Sequence, residues 1–330
     1  MTNLRRNPQA SRRLNWLGYG ACALAGCLWG TGFYFGKLAL REMGVDHMVL
    51  YRFLFASLGM LPVLLVGGGR RQGPRWANWT SWASWTSWTR REKGTLLLSS
   101  ALGIPIQFLL QFEGLARTTV SHAALMVGTM PVLLALGATL FAGERLDWIG
   151  WLALAGSTVG AALIVLGGRQ AGVAGSVPTF AGDMLVVLSL TIALGWILMN
   201  KSLMQVHGPL AVTAYGILSG TAMLLVWVMA VDGPPPVAKV SLTAWLALAA
   251  SGVLCTAATT LLWNWGIHHV PASRAGVFLN IEPALGSLLG VELLGDRLGP
   301  YAWVGGSLIL AAAVTLTVRD YDSNPEVLLE

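Results

Sequence analysis

The sequence predicts an all-α membrane protein: ten transmembrane helices arranged as two inverted five-helix repeats. Three observations predict it. The first is composition, with 55% hydrophobic and only 11% charged residues over 330 positions, where an ordinary soluble domain carries about a quarter charged residues. The second is the recurrence of apolar runs, each long enough to cross a hydrocarbon core ~30 Å thick at ~1.5 Å per helical residue. The third is an internal repeat. Gly114–Trp151 lies over Gly266–Trp303 at a constant offset of 152, and ten of those 38 positions are identical. The strongest block reads Gly143-Glu144-Arg145-Leu146 in one copy and Gly295-Asp296-Arg297-Leu298 in the other.

The first predicted span, 16–38, follows Arg5, Arg6, Arg12 and Arg13. Its apolar run is too long for a signal peptide and no small-residue cleavage site ends it, so it reads as a retained helix behind a tail of residues 1–15. The second span is 47–67. A basic stretch, 70–93, then carries Trp76, Trp79, Trp82, Trp85 and Trp88 at every third position. Spacing three drifts by about 60° per step on an α-helix, so the five wrap most of the way round it rather than forming a stripe. They read either as a belt in the headgroup layer or as a partner-binding segment. Spans three to five are 95–115, 119–141 and 148–168, closing the first repeat at 16–168. A linker, 169–180, leads to spans at 181–202, 209–230, 242–264, 272–293 and 299–318, a second repeat at 181–319 and a tail at 320–330.

A second alignment, at offset 164, pairs Lys37/Lys201, Gly44/Gly208 and Tyr51/Tyr215, so the first half holds twelve extra residues between its second and third spans. Five spans per copy is an odd number, so the second copy enters the membrane from the opposite face. In such folds the substrate site lies near the midplane between the repeats, which rock around it.

The net charge of +6 is no nucleic-acid footprint, because of where the charges fall. With the N-terminus inside, 14 of the 21 basic residues lie on the cytoplasmic side; the outer side keeps Lys37, Arg41, Arg52, Arg117, Arg169, Lys239 and Arg297. That asymmetry places both termini in the cytoplasm, and the expected location is a bacterial inner membrane. Cys22, Cys27 and Cys255 fall inside spans and read as buried thiols rather than a disulfide or metal site. His268-His269, on a loop, reads as a wet surface pair.

Several of these residues together resemble the EamA-type branch of the drug/metabolite transporter superfamily. Trp29-Gly30-Thr31 with Lys37 is similar to that family's first-span signature, and Arg52-Phe53 to the start of its second. Pro131 with Gly143–Leu146, and Glu282-Pro283 with Gly295–Leu298, are similar to its fourth-span ending in each copy. Asp296 departs from the pattern, which carries glutamate there, and so does the tryptophan-rich stretch. The resemblance implies ten helices, both termini inside, and movement of small metabolites, often outward. It implies no single substrate.

Glu282 is the most informative ionisable residue, near the middle of the ninth span. A carboxylate there costs several kcal/mol unless protonated, paired or facing a polar cavity. It either binds a substrate ammonium or coupling proton, or stands as a neutral acid bonded to a neighbouring helix. Pro283 beside it predicts a kink, and Pro131 holds the equivalent place in the first copy, so the two read as paired hinges. Gln107 and Gln111 share a face of span three, Gln107 corresponds to Thr259, and Thr256, Thr260 and Asn264 extend the polar character along span eight. These line a pathway or bond neighbouring helices. Asn280 faces Gly128 across the repeat. Trp29, Tyr34 and Trp263 are aromatic wall candidates, with Trp196 and Trp265, or packing. Glu144, Arg145, Asp296 and Arg297 read as helix-end ion pairs or as gates. Lys37 and Lys201 read as snorkelling to the headgroups.

The reading is a secondary or facilitative carrier, in the exporting direction, for small organic metabolites such as amino acids, held in membrane lipid and open to proton coupling. No cofactor, metal or nucleic-acid partner is expected, and no phosphate-binding loop supports ATP-driven transport. A nucleotide-sugar carrier would need several basic groups within the spans, which are almost bare of them. A membrane-embedded enzyme would need a nucleophile–base or metal constellation at depth, and none accompanies Glu282.

Overall fold

The computed structural model describes residues 8–66, 85, 87–130, 132–133, 136–137, 148–168, 178–207, 209–234, 240–269 and 276–323. Among the described residues there are helices and no strands. α1 is Pro8–Ala39 and α2 is Val45–Val66. α3 (Arg90–Ala101) runs through a π-helical segment (Leu102–Ile106) into α4 (Gln107–Ala116), and α5 is Val120–Val127. α6 is Trp148–Gly168, α7 is Phe180–His207 and α8 is Pro209–Val231. α9 (Leu242–Ala249) continues through a second π-helical segment (Ala250–Ala258) into α10 (Thr259–His269). A 3-10 turn (Gly276–Asn280) leads to α11 (Ile281–Leu294), and α12 is Pro300–Ser323.

Local chemistry sets the helix ends. Thr89 and Glu92 form a reciprocal capping box at the start of α3, with Glu92 N–H donating to Thr89 Oγ1 over 3.2 Å and Thr89 N–H to Glu92 Oε2 over 2.7 Å, so two N–H groups without helical partners are satisfied. Thr119 and Ser241 cap α5 and α9 more simply, each hydroxyl accepting one backbone N–H, from His122 and Ala244 respectively. α11 stops at Gly295, whose φ of 71° is left-handed backbone that a residue without Cβ adopts freely.

Four helical runs among the described residues are long and apolar enough to cross a membrane: Arg90–Ala116, Phe180–Met204, Ala211–Val231 and Leu242–Trp263. Trp148–Ile164 and Pro300–Thr315 are shorter apolar helices. The exposed surface carries Trp148, Val226, Trp227, Leu242, Leu246 and Trp303, side chains that lipid covers and that a soluble monomer rarely displays together. Two predicted spans look different in detail. Span four is helical over Val120–Val127 before i→i−3 bonds at Gly128 and Thr129 tighten the chain. Span nine is broken where the 3-10 turn meets α11, so Glu282 and Pro283 sit in α11's first turn and not at mid-helix. The predicted kink is therefore a helix start, where a missing proline N–H costs nothing.

The packing follows the sequence offset. α1 lies on the second π segment and α10 as α7 lies on the first π segment and α4; α2 meets the second π segment as α8 meets the first. α5 packs on α11, and α6 on α12. The largest core cluster runs through Phe33, Met48, Phe53, Phe112, Met126, Leu224 and Leu248.

The bundle has a proximal end, where α1 begins, and a distal end, where it finishes. At the distal end Glu42 accepts from the backbone N–H and hydroxyl of Ser241, both over 2.6 Å, and those bonds hold its carboxyl below the ordinary range. Nearby, Asp46 shares a hydrogen bond with Asp232, and His47 Nε2 lies 3.2 Å from the Gly233 carbonyl. At the proximal end Trp88 stacks on His207 at 3.7 Å, His207 meets Glu92 at 3.3 Å, and Trp85 and Tyr215 close the cluster. Trp88 is only 3% exposed. It is thus a protein-packing residue rather than part of a headgroup belt; Trp76, Trp79 and Trp82 lie outside the described residues.

Candidate functional site

The second π segment brings the polar residues together. A wide turn leaves carbonyls poorly matched to the helical ladder, and threonine hydroxyls on the same stretch take them up. Thr256 Oγ1 donates to Ser251 O over 3.1 Å and Thr259 Oγ1 to Leu254 O over 2.6 Å, each five residues back. Thr260 Oγ1 donates to Thr256 O over 2.6 Å. Shifted by 152, Leu102–Ile106 falls on Leu254–Ala258, so both copies widen at the same place. Each widening is followed at once by a buried polar residue, Gln107 or Thr259.

Arg52, on α2, faces this segment. It is 5% exposed and was counted above among outer-face charges; removing it from that face sharpens the charge asymmetry. Its Nε donates to Thr256 Oγ1 over 3.1 Å, and its guanidinium lies 5.2 Å and 5.1 Å from the ring centres of Phe108 and Phe112. α2 approaches so closely because Gly252 has no side chain: a Cβ there would meet the Arg52 carbonyl and stand 2.6 Å from Phe55 Cβ. Thr31 Oγ1 lies 3.2 Å from Cys255 Sγ beside the same cluster. Isolating a guanidinium in such surroundings costs on the order of several kcal/mol, and no carboxylate pairs with it within 4.0 Å among the described residues.

Glu282 is the charge nearest in kind. It and Arg52 act on one another through space without closing an ion pair. Between their helices runs α1, packed so tightly on α11 that a Cβ at Gly30 would lie 3.0 Å from the Glu282 carbonyl oxygen.

The other predicted residues spread along the bundle. Gln111 is buried on α4, and Gln107 Oε1 finds no partner among the described residues. Trp29 and Trp263 meet across α1 and α10, ring centres 5.5 Å apart. Tyr34 touches its neighbour Phe35. Asn280, with Ile281, Ala284, Leu285 and Leu288, lines a shallow open groove on α11 of about 390 Å³. Asp296 does not pair with Arg297: its carboxylate accepts from Ser121 N–H over 2.8 Å at the start of α5, where negative charge is favoured, and Arg297 is exposed. Lys37 does not snorkel either, since its ammonium donates to the Leu115 and Thr118 carbonyls, both over 2.6 Å, closing the end of α4. Pro131, Glu144 and Arg145 lie outside the described residues, as does the side chain of Asn264.

The EamA-like transporter family matches the chain twice, over residues 16–166 and 180–318. The chain belongs to that family. A probable terminal-alkyne amino-acid exporter of Streptantibioticus cattleyicolor is 25% identical over 91% of this chain and 93% of its own. An inner membrane protein of Escherichia coli is 23% identical over 92% of this chain and 95% of its own. A crystal structure of a protein 18% identical aligns with a TM-score of 0.59, covering 93% of this chain and 97% of that one, which is a likeness of fold alone.

Two buried residues of this EamA-like protein escaped the sequence reading. His122 on α5 and Asp183 on α7 are each 1% exposed, with Nδ1 and Oδ2 3.5 Å apart, and Thr118 Oγ1 donates to Asp183 over 2.6 Å. A lone Asp at the start of a predicted span looks like an interfacial residue, so only the fold reveals the pair.

Proposed function

We propose that this EamA-like protein is a secondary or facilitative transporter of small organic metabolites, amino acids among them, working in the exporting direction. Ten spans form two inverted repeats, 16–168 and 181–319, that alternate access around a central site in a bacterial inner membrane, with both termini cytoplasmic. The two π-helical segments at equivalent sequence positions carry the reading. A wide turn is a local weak point of a helix and is frequent at functional sites, and here one occurs in each copy, with the second contacting a buried charge. The amino-acid exporter among the relatives supports the substrate class, and proton coupling would involve Glu282. No catalytic role is assigned.

Purified protein in liposomes is the test. Preloaded with a mixture of the twenty standard amino acids, the vesicles are expected to release a subset of them without ATP, measured by mass spectrometry against empty vesicles. Equal leakage from both kinds of vesicle removes amino acids from the reading.

A further inference from the structure

Arg52 carries five N–H donors and a charge it cannot shed. Thr256 occupies one donor at Nε, and the faces of Phe108 and Phe112 lie beside the charge but offer the fork no in-plane acceptor. The two terminal nitrogens have no acceptor among the described residues. They lie beside Gly32 of α1, where an added Cβ would stand 3.7 Å from Nη2 and 3.8 Å from Nη1. The open end of the fork is therefore next to the one side chain that α1 omits at that level.

The duplication does not account for this charge. Offset 164 places Gly216 opposite Arg52, and offset 152 places Met130 opposite Glu282. Each copy has thus contributed one ionisable residue that its counterpart lacks, of opposite sign, Arg52 buried and Glu282 partly buried. A structural pair would gain most by closing, yet these two form no ion pair among the described residues, and α1 meets both, Gly32 at the Arg52 guanidinium and Gly30 at the Glu282 backbone. A molecule carrying both charges fits such an unclosed pair.

We propose that Arg52 is the receptor for a carboxylate on the transported solute, its terminal nitrogens taking the two oxygens, while Glu282 takes a cationic group at the solute's other end. The inference rests on the transport reading above. Arg suits this role better than Lys, because its planar fork matches a carboxylate bidentately. Bonds of this kind contribute on the order of 10- to 100-fold in affinity.

The experiment compares each amino acid that crosses the liposome membrane with three analogues: its amide, its decarboxylated amine and its deaminated acid. The deaminated acid loses the Glu282 contact and is expected to show a higher KM than the parent, while KM for the amide and amine, which lose the Arg52 contact, is raised on the order of 10- to 100-fold over the parent. Arg52→Met should bring that ratio to about one, and Arg52→Lys should restore part of it. The double variant Arg52→Met/Glu282→Met separates recognition from structure. If the two residues only neutralise one another, the double variant recovers the parental preference for carboxylates, and that recovery overturns the proposal. Thermal melting checks that the variants fold. Gly32→Ala covers any failure, since its Cβ meets only ordinary contacts, the nearest 3.5 Å away at Cys255 Cβ; it should raise KM several-fold for carboxylates and leave the amide unchanged. Wild-type flux that ignores the carboxylate overturns the Arg52 assignment and leaves transport standing. Absence of flux for every amino acid removes amino acids from the transport reading and overturns the Arg52 assignment with them.

Discussion

Gly252 shows how much one residue can hold at the residue scale. Forty glycines punctuate the chain, and nothing in their spacing says which mark helix crossings. At Gly252 an added Cβ would strike the Arg52 carbonyl and lie 2.9 Å from the Ala56 nitrogen, backbone atoms that cannot swing aside, whereas at Gly156 it meets nothing within 4 Å. Gly252→Ala is expected to destabilise by about 1–3 kcal/mol through overpacking. Gly156→Ala should be neutral or stabilise by up to about 1 kcal/mol through helix propensity. Melting both in the same detergent checks the contrast, and equal melting temperatures would contradict the crossing. The same blindness affected the basic residues. Lys37 and Arg52 both looked like interfacial charges, because hydropathy locates a residue along the membrane normal but cannot show a carbonyl or hydroxyl supplied by a helix far along the chain.

Elements were legible where periodicity and length decide, and less so where a helix changes its own geometry. Apolar runs placed most ends of the long helices within about five residues, although α1 begins at Pro8, ahead of its predicted span at 16. The π segments were invisible, since one extra residue per turn leaves composition unchanged; only the polar echo at Gln107 and Thr259 marked their neighbourhood. The break before α11 was hidden for the same reason, and Pro283 was read as a kink because its place in the helix was unknown. At the distal junction of α2 and α8, burial pushes the Asp46 carboxyl up to about 6, aided by its hydrogen bond with Asp232 and by the charges of Asp232 and Glu113, with His47 opposing. The shift is upward for an acid, so the proton is held in the folded state. The Asp46–Asp232 bond is present below about pH 6 and lost as pH rises through that value. Hydrogen exchange, corrected for intrinsic rates, is therefore expected to show several-fold greater protection in the first turn of α2 at pH 5 than at pH 7.5. Asp46→Asn, which keeps a donor at every pH, should lose that dependence; a pH-independent wild type would show that no proton is shared.

At the scale of the molecule, the duplication was the most legible feature and also the one that reaches furthest. The family match falls on the chain twice, and the contacts α1 and α2 make with the second copy reappear as those α7 and α8 make with the first. What symmetry could not supply is the pair of charges, Arg52 and Glu282, that each copy holds alone. Symmetry does not set which end of the bundle faces outward; charge does. Lysine and arginine near span ends retain the segments they flank on the cytoplasmic side, and the proximal end is where α1 begins, behind four arginines. The distal end carries Glu42 and Ser241, both exposed; the proximal end carries Ser202, also exposed. Single cysteines at these positions, in a chain whose Cys22, Cys27 and Cys255 are replaced by alanine, read out the orientation directly. Glu42→Cys and Ser241→Cys should react with a membrane-impermeant maleimide in intact cells, and Ser202→Cys only after permeabilisation. The proposed inverted pair with five spans per copy would send both termini to the proximal side, so reporter fusions at residues 1 and 330 should agree with Ser202. Labelling of Ser202→Cys in intact cells would reverse the orientation, and termini on opposite sides would break the ten-span arrangement itself.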